Sequence, residues 1–321
     1  MRGVLERFSN ARILVIGDLM TDLYIWGEAK RLSREAPVPV VRVEAEEYRL
    51  GGAANVANNI KALGAEVYLC GLVGYDDAAH HFRRAASDAG IDTGGIFPVE
   101  NWVSTTKVRV MSREYRQQLL RLDYESTDGP AEGDLASMRT YVESHIGHLD
   151  ALIISDYAKG MFSNEEFARE IVSLATVGGL IVVVDSKSAH LPYYDRASVV
   201  TLSYKEAERF LRRRGERPPK TMEDLGHHVR ELVGSKSLLL VREEKEMSLF
   251  VAGEGTINSS IATQELLDTT GVRDTIVSAF ALALVAGADY KTAMAVTHAA
   301  AAKVATKVGT ATVTLEELAA G

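Results

Sequence analysis

The chain has 321 residues, 46% of them hydrophobic and 25% charged, and a net charge of −8 at pH 7. That length can bury a full core, and the acidic balance argues against nucleic acid as a partner, since phosphate backbones select basic surfaces. The single cysteine, Cys70, excludes an intrachain disulfide and a cysteine-rich metal site.

In chain order, the first ten residues are polar and charged, with no secretory apolar segment, so a cytoplasmic protein is expected. Residues 12–18, built on Ile13-Leu14-Val15-Ile16, read as a buried strand ending in Asp18. Residues 23–50 break that pattern by alternating polar and apolar side chains, and Pro37-Val38-Pro39-Val40 must be extended. Gly51-Gly52 then precede a helix over 53–63, followed by a strand over 66–73 with Cys70 as a buried thiol, and a helix over 77–89. Residues 103–124 alternate again, with 106–113 and 118–124 as hairpin partners. The two alternating segments, 23–50 and 103–124, read as a small β-sheet lid inserted into a single α/β domain of residues 1–321. Such a lid can close a cleft or pair with another subunit.

Strands over 151–155, 180–185, 199–202 and 238–241 interleave with helices over 164–175, 206–213 and 222–232. Alternation of this kind predicts a mainly parallel sheet covered by helices on both faces. Sites in such folds gather at the carboxyl ends of strands, where Asp18 and Asp185 stand. The last long apolar pattern, 276–286, is closed by Gly287 and is shorter than the roughly 20 residues of a bilayer span, so no membrane partner is expected.

The stretch Asp268-Thr269-Thr270-Gly271-Val272-Arg273-Asp274-Thr275 runs into that helix pattern. A glycine turn at a helix start leaves backbone N–H groups free for an anion, and Asp274 beside them can act as a base. Gly51 and Gly52 allow close approach of a ligand to the backbone, with Asn55 on the following turn.

Five motifs stand in one order: Gly17-Asp18-Leu19-Met20-Thr21-Asp22, Gly51-Gly52-Ala53-Ala54-Asn55, Gly74-Tyr75-Asp76-Asp77, Ser155-Asp156-Tyr157-Ala158-Lys159-Gly160 and the Gly271–Thr275 turn. In order and spacing they resemble the ribokinase-like (PfkB) sugar kinases over nearly the whole chain. Glu35-Ala36-Pro37-Val38-Pro39-Val40, Thr106-Lys107-Val108-Arg109-Val110 and Arg121-Leu122-Asp123 narrow the resemblance to heptose-7-phosphate kinases. The resemblance implies a three-layer ribokinase-like fold and phosphoryl transfer from ATP, with Mg2+, to the anomeric hydroxyl of a sugar phosphate. It implies that Asp18, Asp22, Gly51, Gly52 and Asn55 hold sugar hydroxyls, while Lys107, Arg109 and Arg121 are candidates for the substrate's phosphate. Asp274 would be the general base, with Gly271 and Arg273 beside it. Lys187, Ser203, Glu206, Arg242 and Val272 would face the nucleotide, Glu206 through a water on Mg2+. It also implies a homodimer through the lid and a kinase domain with no adenylyltransferase half.

The departures from the family pattern lie on the nucleotide side. Gly-Ala-Gly-Asp becomes Gly271-Val272-Arg273-Asp274, Ser203 replaces an Asn, and Val241 and Glu246 replace a Thr and a Gly. Arg273 either fills the phosphate site or supplies it with a guanidinium. Glu243, Glu244 and Glu246 either oppose ATP or form a solvated hairpin tip. Two readings follow: an active sugar-phosphate kinase, or an impaired kinase fold that still binds a sugar phosphate. A lesser third is a kinase with a donor other than ATP.

Overall fold

The computed structural model describes residues 1–126, 128–243, 245–260, 269–307 and 309–320; Glu244 and Asp268 lie outside these. The chain enters through helix α1 (Arg2–Leu5) and buries strand β1 (Arg12–Gly17). Through Asp18 it passes straight into β2 (Leu19–Leu32) and returns along β3 (Pro39–Gly52). Helix α2 (Ala53–Ala62), β4 (Glu66–Val73), α3 (Asp77–Asp88) and β5 (Asp92–Pro98) follow, then β6 (Thr105–Ser112) and β7 (Gln117–Tyr124). The next units are α4 (Glu132–Ile146), β8 (Ala151–Asp156), α5 (Glu165–Val177), β9 (Ile181–Ser186), β10 (Val199–Ser203), α6 (Tyr204–Arg213) and α7 (Met222–Val233). The chain closes with β11 (Ser237–Arg242), β12 (Glu246–Val251), β13 (Gly255–Ser260), α8 (Val272–Val285), α9 (Tyr290–Val304) and α10 (Leu315–Ala319).

The main sheet has nine strands in the order β13-β12-β11-β10-β9-β8-β1-β4-β5. All its pairings are parallel from β11 to β5, and β12 and β13 add an antiparallel edge. Period-2 alternation divides the apolar residues of β1 between two faces. Ile13 and Val15 join the core with Val56, Ile60, Val277 and Phe280 of α2 and α8. Leu14 and Ile16 join that with Met138, Phe167, Phe210 and Val229 of α4 to α7. Helices therefore cover both faces, the three-layer α/β arrangement expected from the sequence. Each such side chain contributes about 1.5–3 kcal/mol by leaving water. Cys70 is fully buried, and burial pushes its thiol pKa up. No helix of the described residues is long and apolar enough to cross a membrane.

The lid is a separate four-stranded sheet, β3-β2-β6-β7. Its hairpin pairs Val108 with Leu122 and Arg109 with Arg121. The lid strands reach deeper than the alternation at 23–50 suggested. β2 starts at Leu19 and β3 runs to Gly52, pairing Leu19 with Gly52 and Met20 with Gly51. The lid thus grows out of the strand ends that carry the site. Asp76 ties its second entry to the body: Oδ1 caps α3 by accepting from Ala79 N at 2.9 Å, and Oδ2 accepts from Ser104 N at 2.9 Å.

Candidate active site

Two buried carboxylates hold one loop. Asp18 follows β1, and its Oδ2 accepts from the backbone N–H groups of Tyr157 at 2.7 Å and Lys159 at 3.2 Å. Asp156 ends β8 and accepts from Ala158 N at 2.8 Å, Ser186 Oγ at 2.9 Å and Tyr194 Oη at 2.6 Å. His190 Nδ1 lies 2.9 Å from the same carboxylate, which raises the imidazole's pKa. Ala158, between the two anchors, adopts a left-handed φ of +55°. Burial, with Asp156 adding to it, pushes the Asp18 carboxyl up to about 7. Asp18 is therefore a clamp for the 157–159 loop as well as a sugar-ligand candidate.

The clamped loop delivers Tyr157 to Asp274. Tyr157 Oη donates to Asp274 Oδ1 at 2.7 Å, and Asn55 Nδ2 donates to Oδ2 at 2.6 Å. Burial raises this carboxyl to about 6, against the two hydrogen bonds, which favour its charged form. Asp274 lies in the first turn of α8, which begins at Val272 rather than at the Ile276 of the apolar pattern. Gly271 precedes it with φ +79°, where an added Cβ would stand 2.9 Å from Asn55 Nδ2. Thr275 Oγ1 donates to Asn59 Oδ1 at 2.7 Å, which locks α8 to α2. Val272 N donates to Thr269 O at 3.3 Å and Thr275 N to Gly271 O at 3.1 Å. Among the described residues no acceptor meets the N–H groups of Arg273 and Asp274, so they remain for an anion.

Asp22, Lys107, Arg109, Arg121 and Asp123 share one face of the lid. Arg109 pairs with Asp22, whose carboxyl burial raises while the guanidinium opposes that rise. Lys107 Nζ lies 3.4 Å from Asp123, and Arg121 grips the same carboxylate through Nε at 2.8 Å and Nη2 at 3.0 Å. Tyr24 lies between the guanidinium carbons of Arg49 and Arg109, 4.9 and 5.4 Å from its ring centre. A Cβ on Gly51 would stand 2.7 Å from Asp22 Oδ2, and Gly52 at φ +56° packs on the Asp18 carbonyl. Asp18, Asp22, Gly51, Gly52 and Asn55 therefore meet where the lid leaves the body. Lys107, Arg109 and Arg121 gather on the adjoining lid face, already neutralised in part by Asp22 and Asp123.

Next to the turn that precedes α8, a cleft of about 650 Å³ is lined by Ser203, Tyr204, Arg242, Glu243, Lys245 and Thr269 among others. Two of the sequence candidates, Ser203 and Arg242, face it. Ser203 Oγ also accepts from Glu206 N at 3.2 Å and so caps α6. Arg242 donates to Glu246 at 2.7 Å and lies over the Tyr204 ring. Glu243 and Lys245 are exposed at the tip of the β11–β12 hairpin. Glu206 is buried, which raises its pKa, but hydrogen bonding from Ser188 N at 2.9 Å, the nearby Lys187 charge and pairing with Arg209 at 2.6 Å outweigh this and hold it below the ordinary value. Lys187 Nζ lies 5.2 Å from the Tyr157 ring centre.

Val272 departs from its nucleotide-facing expectation: its side chain is fully buried in the core. Arg273 does not spread across the turn. Its Nε donates to Asp185 Oδ1 at 2.8 Å and its Nη2 to Thr201 O at 3.2 Å. Sequence reasoning missed Tyr157 as the partner of Asp274 and Asp185 as the partner of Arg273, although both stood in strand-end motifs. It had no signal for His190 or Tyr194. Among the described residues no His, Cys, Asp and Glu cluster has metal-binding geometry.

A buried carboxylate at a helix start whose N–H groups meet no acceptor among the described residues, close to a lid face carrying Lys107, Arg109 and Arg121, is an arrangement suited to phosphoryl chemistry. Residues 10–318 match the pfkB family of carbohydrate kinases, and the chain belongs to that family. D-beta-D-heptose 7-phosphate kinase of Bordetella bronchiseptica is 38% identical over 98% of this chain and 97% of its own length. The bifunctional protein HldE of Shewanella baltica is 39% identical over 99% of this chain, which spans only 65% of that relative. Among solved structures, Arabidopsis thaliana ribokinase complexed with ribose and ATP superposes with a TM-score of 0.71 at 18% identity, covering 97% of this chain and 98% of that one. Phosphofructokinase-2 of Escherichia coli gives 0.77 at 18% identity, covering 97% of each chain. These neighbours fix the fold as ribokinase-like.

Proposed function

We propose that this carbohydrate kinase transfers the γ-phosphoryl group of MgATP to the anomeric hydroxyl of D-glycero-D-manno-heptose 7-phosphate or a related sugar phosphate. The observation that carries the reading is Asp274, 4% exposed, held between Asn55 and Tyr157 with its carboxyl near 6, at a helix start where two N–H groups meet no acceptor among the described residues. Asp274 takes the acceptor's proton while the acceptor oxygen bonds phosphorus and the bond to the ADP oxygen breaks, its electron pair leaving with ADP. A base poised near 6 is ionised at neutral pH yet basic enough to accept that proton. Asp18, Asp22, Asn55 and the Gly51–Gly52 backbone hold sugar hydroxyls, and Lys107, Arg109 and Arg121 hold the distant phosphate.

Mg2+, carried on the donor phosphates, supplies charge neutralisation there. Glu206 fits an outer role: both its oxygens are engaged by Ser188 and Arg209, so it suits a metal-bound water rather than direct ligation. Lys187, Ser203 and Arg242 complete the nucleotide side. A cytoplasmic homodimer joined through the lid fits the exposed apolar residues of β7, Leu120, Leu122 and Tyr124.

Anchoring of Arg273 on Asp185 and Thr201 supports the active kinase over an impaired sugar-phosphate binder, because the side chain lies against strand ends. The experiment is ADP release by the purified chain with MgATP and D-glycero-D-manno-heptose 7-phosphate. Turnover is expected, and Asp274→Asn lowers kcat by about 10²–10⁴. Sugar-phosphate binding without turnover would overturn the kinase reading in favour of the impaired one.

A further inference from the structure

Arg273 stands where helix electrostatics disfavours a cation. It is the second residue of α8, and a helix N-terminus carries roughly half a positive charge. An arginine there could relieve the repulsion by extending into solvent. It does the opposite: the side chain is only 18% exposed and folds back onto the strand ends. Nε and Nη2 both donate to Asp185 Oδ1, Nη2 also donates to the Thr201 carbonyl, and Thr201 Oγ1 donates to the same Asp185 oxygen at 2.7 Å. Among the described residues Nη1 has no acceptor.

Stability alone gives a poor account of this arrangement, since a buried ion pair is often no better than apolar packing of the same volume. The arrangement does gather hydrogen-bond donors at the turn. Arg273 adds its guanidinium to two free N–H groups, and Lys187 lies over the ring of Tyr157, the residue that bonds Asp274.

We propose that Arg273 is a catalytic cation of this chain that contacts the terminal phosphate of the donor, with Asp185 and Thr201 as the residues that position it. The proposal rests on the kinase reading above and deepens it. The turn loses the freedom of a small residue and gains a guanidinium fixed before the reaction begins. As the bond to the ADP oxygen breaks and its electron pair leaves with ADP, charge grows on the leaving oxygen and the transferring phosphoryl group. A fixed guanidinium stabilises that charge without reorganising. The competing role is structural: Arg273 would only neutralise Asp185, which is itself buried.

The two roles separate in calorimetric binding of MgADP and the non-hydrolysable MgAMP-PNP to the full chain. If Arg273 contacts the terminal phosphate, Arg273→Ala weakens MgAMP-PNP by about tenfold or more and leaves MgADP within about twofold. Arg273→Lys recovers part of the loss, and Asp185→Asn shifts the ratio of the two affinities in the same direction as Arg273→Ala. In turnover, kcat falls about 10²–10³ in Arg273→Ala, with the KM for the sugar phosphate unchanged. A folded Arg273→Ala with an unchanged affinity ratio, or with higher kcat, overturns the proposal. Arg273-dependent discrimination without turnover on the heptose phosphate would support Arg273 while overturning the substrate reading. Failure of the wild type to bind either nucleotide would overturn both.

Discussion

Tyr157 and Asp274 lie 117 residues apart in sequence, yet the phenol donates to the carboxylate at 2.7 Å. The phenol reaches it because Asp18 accepts from the backbone N–H groups on either side of Ala158 and Asp156 accepts from that of Ala158 itself. Its hydrogen bond favours the ionised carboxylate, against burial, which favours the neutral one.

Tyr157→Phe therefore raises the pKa of Asp274 above its present value of about 6. In its proposed role as base the carboxyl must be ionised, so activity is expected to be lost as pH falls through that pKa. The acidic limb of kcat/KM accordingly moves to higher pH in the variant. The check is a pH profile from 5 to 8 for both proteins. An unchanged limb with a uniformly lower rate would mean that Tyr157 serves only packing.

Asp18 gives stability the opposite pH dependence. Its carboxyl sits near 7 in the fold against 3.8 for an ordinary aspartate. Between those values the folded chain keeps a proton that the unfolded chain has released, so stability falls as pH rises across the window. Asp274 adds a slope of the same sign up to about 6. His190, whose pKa is raised from 6.5, adds one above that. Glu206 and Asp123 titrate below their ordinary values and so act at more acidic pH. Urea midpoints should be higher at pH 5 than at pH 7.5, and Asp18→Asn should shrink the difference. Equal slopes in the two proteins would remove Asp18 as the source.

Gly271 is tested by adding one methyl group. Its φ of +79° suits glycine, and the new Cβ would stand 2.9 Å from Asn55 Nδ2 and 3.3 Å from the Thr310 Cα. Gly271→Ala costs about 1–3 kcal/mol, a fall in Tm of roughly 2–6 °C. Because Asn55 is also displaced from Asp274, kcat falls with it. An unchanged Tm and kcat would show that the turn accommodates the methyl group.

Much of the candidate site's geometry was legible because it is written in short motifs at strand ends and helix starts. Asp18, the Gly51–Gly52 turn and Asp274 each carry their local chemistry with them. Pairings across long separations were not legible: Arg273 meets Asp185 over 88 residues, and neither residue's neighbours announce the other. The fold shows the same limit. β1 is visible as an uninterrupted apolar run, whereas β5 carries Gly94 and Gly95 and offers no such run. Gly95 is needed there because a Cβ would stand 2.6 Å from the Tyr141 ring, a contact with α4 that only the tertiary structure reveals. The alanine-rich α9 packs against α8 through small residues such as Ala293 and Ala300, which give a weak periodic signal.

The proposed lid dimer makes the last prediction. β7 is exposed along its whole length, with Leu120 at 53%, Leu122 at 42% and Tyr124 at 55%. These alternate with Arg121 and Asp123, so they occupy the lid face opposite the substrate charges. A second lid laid on that face would remove them from water and leave the cationic face free for the sugar phosphate. Light scattering of the purified chain should then give about twice the mass of one 34.9 kDa chain. Leu122→Glu, which sets a charge in the middle of the contact, should yield monomers with an unchanged melting profile at low concentration. A wild type that stays monomeric at all concentrations would exclude the dimer, and an intact Leu122→Glu dimer would place its contact elsewhere.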